Sequence, residues 1–307
     1  MSRSWKKVGR ILMSKNIFSK VVIVGLGLIG GSLGKAFVKH DIAREVWGTD
    51  ISTPILIQGL NDGAITHYSE DKKTIFASAE VIILAAPVDK ILSVLEANLP
   101  YISDGVLITD TGSIKEKIVS RAEILVGDRC DFLGGHPMAG SEKEGIGASK
   151  AELLVGHTYI FTPTRALSEY RHADKYLQAI TKIGMNTAVL KCSEHDRITA
   201  NVSHLPHLIA AMLMMAVGST CTPSEIHNFT GNGLKDTTRV SAGSPELWVQ
   251  ILSMNRANLL PGLEKFEDAM KIVKQALREN DIPSLQSLLN HASVWRTRLT
   301  NEGEKDV

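Results

Sequence analysis

The sequence predicts an α/β chain: first a doubly wound parallel sheet, then an all-helical part. Short, continuous β-branched runs alternate with helical patterns from Lys20 to about Cys192, and beyond that point the strand signal stops. The 307 residues are enough for two buried cores, and 44% apolar with 22% charged residues is ordinary for a folded protein. The expected division is an N-terminal extension over 1–17, a dinucleotide-binding domain over 18–192 and a helical domain over 193–307.

In chain order, Val21 to Val24, Val46 to Thr49, Val81 to Leu84 and Val106 to Thr109 are the first strands. Each is continuous rather than alternating, as strands covered on both faces should be. Asp131 to Leu133, Tyr159 to Phe161 and Thr187 to Leu190 read as further strands. Ser193-Glu194-His195-Asp196 has the capping-box pattern that opens a long helix, and Ser244-Pro245-Glu246 is a second start. Pro261 and Pro283 are expected to break the helices that follow. The stretch Leu205 to Val217 is apolar on nearly every side, so it must be buried. A homodimer interface is the expected place, with burial inside one chain as the alternative.

Charge and cysteine usage exclude several classes. Lys+Arg number 34 against 33 Asp+Glu, for a net charge of +1, which argues against a general nucleic-acid binder. Cys130, Cys192 and Cys221 share no CxxC spacing, so neither a disulfide framework nor a zinc site is expected. A reducing cytoplasm fits, with Cys192 and Cys221 read as core residues. Ile11-Leu12-Met13 is too short for a signal core, and Met13 is a second candidate start. Leu208 to Val217 is roughly half of the ~20 residues that a membrane span needs, so no membrane partner is expected.

Gly25-Leu26-Gly27-Leu28-Ile29-Gly30 follows a strand directly and opens a helix, the context that gives a GxGxxG spacing meaning. The glycines permit a tight turn, close approach of a pyrophosphate, and helix–strand packing; the helix N-terminus adds donors and a positive dipole end. Asp50 closes the next strand about 20 residues further on, where a carboxylate accepts ribose hydroxyls. With no Arg or Lys over 51–57 to take a 2′-phosphate, a Rossmann domain selecting NAD over NADP is expected. Ala85-Ala86-Pro87 ends the strand at Val81 to Leu84, its small residues letting a cofactor lie on backbone. His136, set among glycines and a proline just after a strand, either takes a hydroxyl proton or simply orders a turn.

Five motifs in order, GLGLIGGSL, Asp110-Thr111-Gly112-Ser113-Ile114-Lys115, Gly135-His136-Pro137-Met138-Ala139-Gly140-Ser141-Glu142, Ser203-His204-Leu205-Pro206-His207 and Asp236-Thr237-Thr238-Arg239 with Ser244-Pro245-Glu246-Leu247-Trp248, resemble the prephenate dehydrogenase family. The resemblance implies NAD-dependent oxidative decarboxylation of prephenate to 4-hydroxyphenylpyruvate. It makes His136 the group that takes the ring hydroxyl proton, with Ser113 orienting it. Arg239 would pair with a substrate carboxylate, Ser141, His204 and His207 would line the pocket, and Glu142 and Asp236 would stand near its mouth. Thr111 and Ser113, with Ala86 and Pro87, would lie beside the cofactor. By themselves His204 and His207 are ordinary helix histidines three apart on one face, and no metal is expected. Many family members carry an aromatic residue and Arg where this chain has Leu234 and Lys235, which bears on pocket packing. The residues after Trp248 are helical in pattern, so neither a fused mutase nor a regulatory ACT domain is expected. An arogenate or dual-specificity enzyme, and a non-catalytic NAD sensor, are the remaining readings.

Overall fold

The computed structural model describes residues 16–301. The extension expected over 1–17, with Met13, falls outside them except for Asn16 and Ile17. The chain divides into two compact units, one ending at Asn255 and the other beginning at Arg256.

The first unit runs β1 (Phe18–Val24), α1 (Leu28–Lys39), β2 (Ala43–Thr49), α2 (Thr53–Asn61), β3 (His67–Tyr68), α3 (Lys72–Phe76), β4 (Val81–Leu84) and α4 (Ile91–Asn98). It continues through β5 (Leu107–Asp110), α5 (Glu116–Val126), β6 (Asp131–Pro137), β7 (Thr158–Thr162), α6 (Ala173–Lys182) and β8 (Asn186–Val189). The helical remainder is α7 (Cys192–Thr199), a π-helical turn (Ala200–His204), α8 (Leu205–Thr220), α9 (Pro223–Phe229), α10 (Asn232–Thr238) and α11 (Pro245–Met254).

One eight-stranded sheet has the order β3-β2-β1-β4-β5-β6-β7-β8. Successive side chains of a strand point to opposite faces, and both faces here are covered. Val21 and Ile23 of β1 and Val81 and Ile83 of β4 join one core with Leu33 and Phe37 of α1 and Tyr176 of α6. Val22, Val24, Ile82 and Leu84 join the other, with Phe76 of α3, Leu95 of α4 and Ile118 of α5. That double burial is why the runs are continuous in sequence.

The sheet departs from the expected parallel pattern at one edge. β6 pairs with β7 antiparallel, Pro137 opposite Tyr159, whereas β7 and β8 are parallel to each other. No α-helix lies between β6 and β7, so no crossover returns the chain to the opposite edge and it turns straight back. β6 also runs on to Pro137, which puts His136 within the strand rather than after it. The two-residue β3 gave no readable run.

Among the helices, α7 begins at Cys192 with Lys191 as N-cap and no side-chain cap, so the expected capping box at Ser193 does not form. A capping box does form at Thr222 and Glu225, opening α9. Ser244 caps α11 by accepting from Leu247 N, as its sequence suggests. The helix from Cys192 through Thr220 is continuous over 29 residues, and by length and composition alone it could cross a membrane. The ten-residue apolar run considered alone missed that continuity. Its burial also differs from expectation: in α8 only His207 and Ala210 are buried, and Met215 is 75% exposed. Cys192 is half-buried and Cys221 exposed, so Cys221 is not a core residue.

The second unit contains α12 (Arg256–Glu279) and α13 (Ile282–Asn301). Pro261 lies inside α12 without ending it, and Pro283 is the second residue of α13. The break falls instead at Asn280, whose φ of 53° is the left-handed conformation common just past a helix end.

Candidate active site

At the carboxyl ends of β1 and β4, sequence dictates a very close packing. Gly25 has φ 94°, and a Cβ there would stand 2.6 Å from the Ala85 carbonyl oxygen. A Cβ on Gly30 would stand 2.0 Å from the Gly25 oxygen, so the first turn of α1 lies directly on the loop. Gly27, the N-cap of α1, has open space where its Cβ would be, and no side chain caps this helix. Unpaired N–H groups and the positive dipole end therefore face a cradle of bare backbone, formed by Gly25, Leu26, Gly27, Leu28, Ile29 and Gly30. The Asp50 carboxylate accepts from Leu26 N at 2.9 Å and from Ser52 N at 3.1 Å, which fixes it at the loop's edge with lone pairs to spare. Thr111 N donates to Leu84 O at 3.1 Å, bringing the β5–α5 turn beside Ala85, Ala86 and Pro87. These residues fit a dinucleotide.

Further along the same edge, β5 and β6 build a buried ionic grip. Lys115, wholly buried, pairs with Asp110 and donates to Gly135 O at 2.8 Å. Asp110 accepts in turn from Gly135 N at 3.1 Å and Gly112 N at 2.9 Å. Both backbone groups of Gly135 are thereby held, immediately before His136. Burial lowers the Lys115 pKa, against the opposing pull of Asp110.

His136 is only 9% exposed. Its Nδ1 lies 2.8 Å from His195 Nε2, and His195 Nδ1 lies 2.8 Å from Asp196 Oδ1. Asp196 also accepts from Lys115 N at 2.8 Å and Glu116 N at 3.0 Å, capping α5 from a helix distant in sequence. Burial first, then the neighbouring His195, Lys115 and His204, push the His136 pKa well below 6.5. The imidazole is therefore neutral at physiological pH. Ser113 is half-buried at the β5–α5 turn and makes no hydrogen bond to His136 among the described residues; the ring's hydrogen bond is with His195.

The π-helical turn, Ala200–His204, brings His195 and His204 toward one side of their continuous helix. In a regular helix, nine residues at about 100° each would put His195 and His204 on opposite faces. The extra residue of a π turn rotates the later part back by about 100°, toward the same side. His204 is buried, its Nδ1 lying 3.2 Å from Asn255 Nδ2, and Asn255 Nδ2 donates to the Asp196 carbonyl at 2.8 Å. Burial pushes the His204 pKa down to about 4, with Asp196 opposing. His207 stacks on Trp248 with centroids 3.5 Å apart, and its buried Nδ1 has no partner among the described residues. A buried nitrogen without a partner is costly unless a bound group satisfies it.

Arg239 is 63% exposed and pairs with Glu142 at 3.4 Å. The Ser141 hydroxyl closes a local turn with Lys143, and Asp236 is exposed. The structure thus groups His136 with His204, and separately Arg239 with Glu142. His195, Asp196, Asp110, Lys115 and Asn255 were not singled out as site residues from sequence, although Asp110 and Lys115 end one of the five motifs. The available signal was an aspartate and a lysine bracketing a polar, glycine-containing turn at a strand end. No group of three or more His, Cys, Asp or Glu side chains among the described residues could hold a metal ion.

A doubly wound sheet with a glycine cradle, a carboxylate fixed at its edge and a neutral buried imidazole fits a dinucleotide-dependent oxidoreductase. Residues 33–187 match the prephenate dehydrogenase nucleotide-binding domain and residues 191–291 the prephenate dehydrogenase dimerization domain. The chain belongs to the prephenate dehydrogenase family. It is 32% identical over 284 residues to prephenate dehydrogenase of Bacillus subtilis, covering 91% of this chain and 76% of that one. To cyclohexadienyl dehydrogenase of Zymomonas mobilis it is 30% identical, covering 86% and 90%. Among solved structures, prephenate dehydrogenase from Aquifex aeolicus in complex with hydroxyphenyl propionate and NAD+ superposes with a TM-score of 0.81 at 27% identity, covering 94% of this chain and all of that one. Synechocystis arogenate dehydrogenase gives 0.74 at 27% identity, covering 91% and 99%.

Proposed function

We propose that this enzyme oxidatively decarboxylates prephenate to 4-hydroxyphenylpyruvate, with NAD+ as acceptor. The observation that carries the reading is His136: buried, neutral, and held beside the nucleotide-binding edge. Bound NAD+ supplies the hydride acceptor. His136 takes the ring hydroxyl proton as the carbon beneath it loses hydride. The bond to the ring carboxylate breaks as CO2 leaves, its electron pair closes the aromatic ring, and the proton returns to the phenol oxygen. Arg239 pairs with a substrate carboxylate through its planar fork, in exchange for Glu142. Ser113 and Thr111 would flank the nicotinamide side, while His204, His207 and Ser141 would line the substrate side and Asp236 would stand at the rim. Asp50, held by Leu26 N, would receive the ribose hydroxyls and repel a 2′-phosphate.

Residues 18–192 hold the dinucleotide in this reading, and 193–307 carry substrate contacts and the interface of a homodimer. The free cysteines fit a cytoplasmic enzyme. A second reading, arogenate or both substrates, draws support from similarity to the Synechocystis and Zymomonas proteins. The two substrates differ in an amino or keto group on the side chain. Turnover measured with NAD+ or NADP+ against prephenate and arogenate separates them. Reduction of NAD+ with prephenate is expected, NADP+ being poorer; no turnover with either substrate would overturn the proposal.

A further inference from the structure

We propose that His195 and Asp196 act as positioning residues that fix the tautomer of His136, with the proton on Nδ1 and Nε2 left as the ring's acceptor. The inference rests on reading His136 as the base, and it follows from three hydrogen bonds. Asp196 is 2% exposed, and it accepts the N–H groups of Lys115 and Glu116 as an ionised carboxylate does. A carboxylate in that state can only accept, so His195 Nδ1, 2.8 Å away, carries the proton and donates. With one proton on the His195 ring, held on Nδ1 by Asp196, its Nε2 is bare. That atom accepts, so His136 Nδ1 must donate to it across 2.8 Å. Neutral His136 is left with a bare Nε2, the atom a hydroxyl proton would reach.

The geometry also says what the relay does not do. Asp196 is buried and already engaged by two backbone donors and His195, so the chain of bonds ends inside the protein. It orients the base; it does not conduct the proton to solvent. The groups facing His136 are Lys115 with its partner Asp110 from the β5–α5 turn, His195 and Asp196 from α7, and His204 from the π turn. Of these, only His195 is hydrogen-bonded to the ring.

Nitrogen-15 NMR of the full-length protein with ring-labelled histidine tests this, His136 signals being assigned by their absence in His136→Asn. At neutral pH without ligand, His136 should show a protonated Nδ1 and a bare Nε2. A protonated Nε2 overturns the proposal, whatever the enzyme's activity. His195→Phe should then populate the other tautomer and lower kcat at least about tenfold with little change in KM. His195→Gln, whose amide oxygen can stand in for Nε2 as acceptor, should recover much of that loss. A purely space-filling His195 would give Phe no worse than Gln, and that result also overturns the proposal. Should His195→Phe fail to fold, the wild-type spectrum and the Gln variant still decide. Failure of the base reading itself shows separately, as undiminished kcat in His136→Asn.

Discussion

His136 and Arg239 ask different things of their surroundings. His136 is enclosed, so its pKa lies below 6.5 and its proton acceptance is tied to chemistry. Arg239 is largely open to water and pairs with Glu142; in the proposed reading it exchanges that carboxylate for the substrate's and contributes binding common to ground and transition states. His136→Asn should therefore lower kcat by roughly 10²–10⁴-fold, whereas Arg239→Ala should chiefly raise KM. In kcat/KM against pH, a base whose pKa is lowered loses activity only when the pH falls below that value. The acidic limb should thus lie below 6.5, and a limb at or above 6.5 that survives in His136→Asn would assign the base elsewhere.

At the level of elements, the junction of β1 with α1 separates folding from binding. Gly30 has backbone 2.0 Å from where a Cβ would be, so Gly30→Ala forces the loop and α1 apart. Overpacking of that kind costs about 1–3 kcal/mol, and melting should fall by several degrees. Gly27 has nothing within 4 Å of its Cβ position, so Gly27→Ala should leave melting nearly unchanged while weakening NAD+ binding. Calorimetry and a binding titration of both variants check this. A Gly27→Ala protein that binds NAD+ normally would mean the pyrophosphate lies elsewhere.

For the molecule as a whole, the exposed apolar face of α8 calls for a partner. Met212 and Met215 are exposed on a helix whose sequence carries almost no charge, and an apolar patch of that kind is uncommon on a lone chain. Light scattering should report a dimer at micromolar concentration, and Met215→Glu should shift it toward monomer; a wild-type monomer would sink the homodimer. Acid should destabilise the fold. His136 and His204 are buried neutral with lowered pKa values, that of His204 about 4, so unfolding takes up protons below pH 6.5. The His204 contribution is fully present above about 6.5 and is lost as the pH falls toward 4, at up to about 1.4 kcal/mol per pH unit, and His136 acts in the same direction. Urea midpoints at about pH 7.5 and 5 should differ accordingly, and His204→Phe should reduce the difference.

The sequence by itself determined the doubly wound class, the glycine cradle with Asp50 at its edge, and His136 as a candidate, because each rests on local rules. Strand runs buried on both faces are continuous, a GxGxxG spacing has one fitting context, and a histidine among glycines stands out. The positions of β7, of the π turn and of Asp196 were decided by tertiary structure. Sheet direction at β7 follows from where the preceding loop returns, and helix phase between His195 and His204 follows from one inserted residue. Ser193-Glu194-His195-Asp196 looked like a cap for its own helix, yet Asp196 caps α5 and holds the histidine behind His136. A carboxylate's partner is whichever donor the fold brings within 3 Å, and that depends on distance in space, which residue spacing along one helix does not encode.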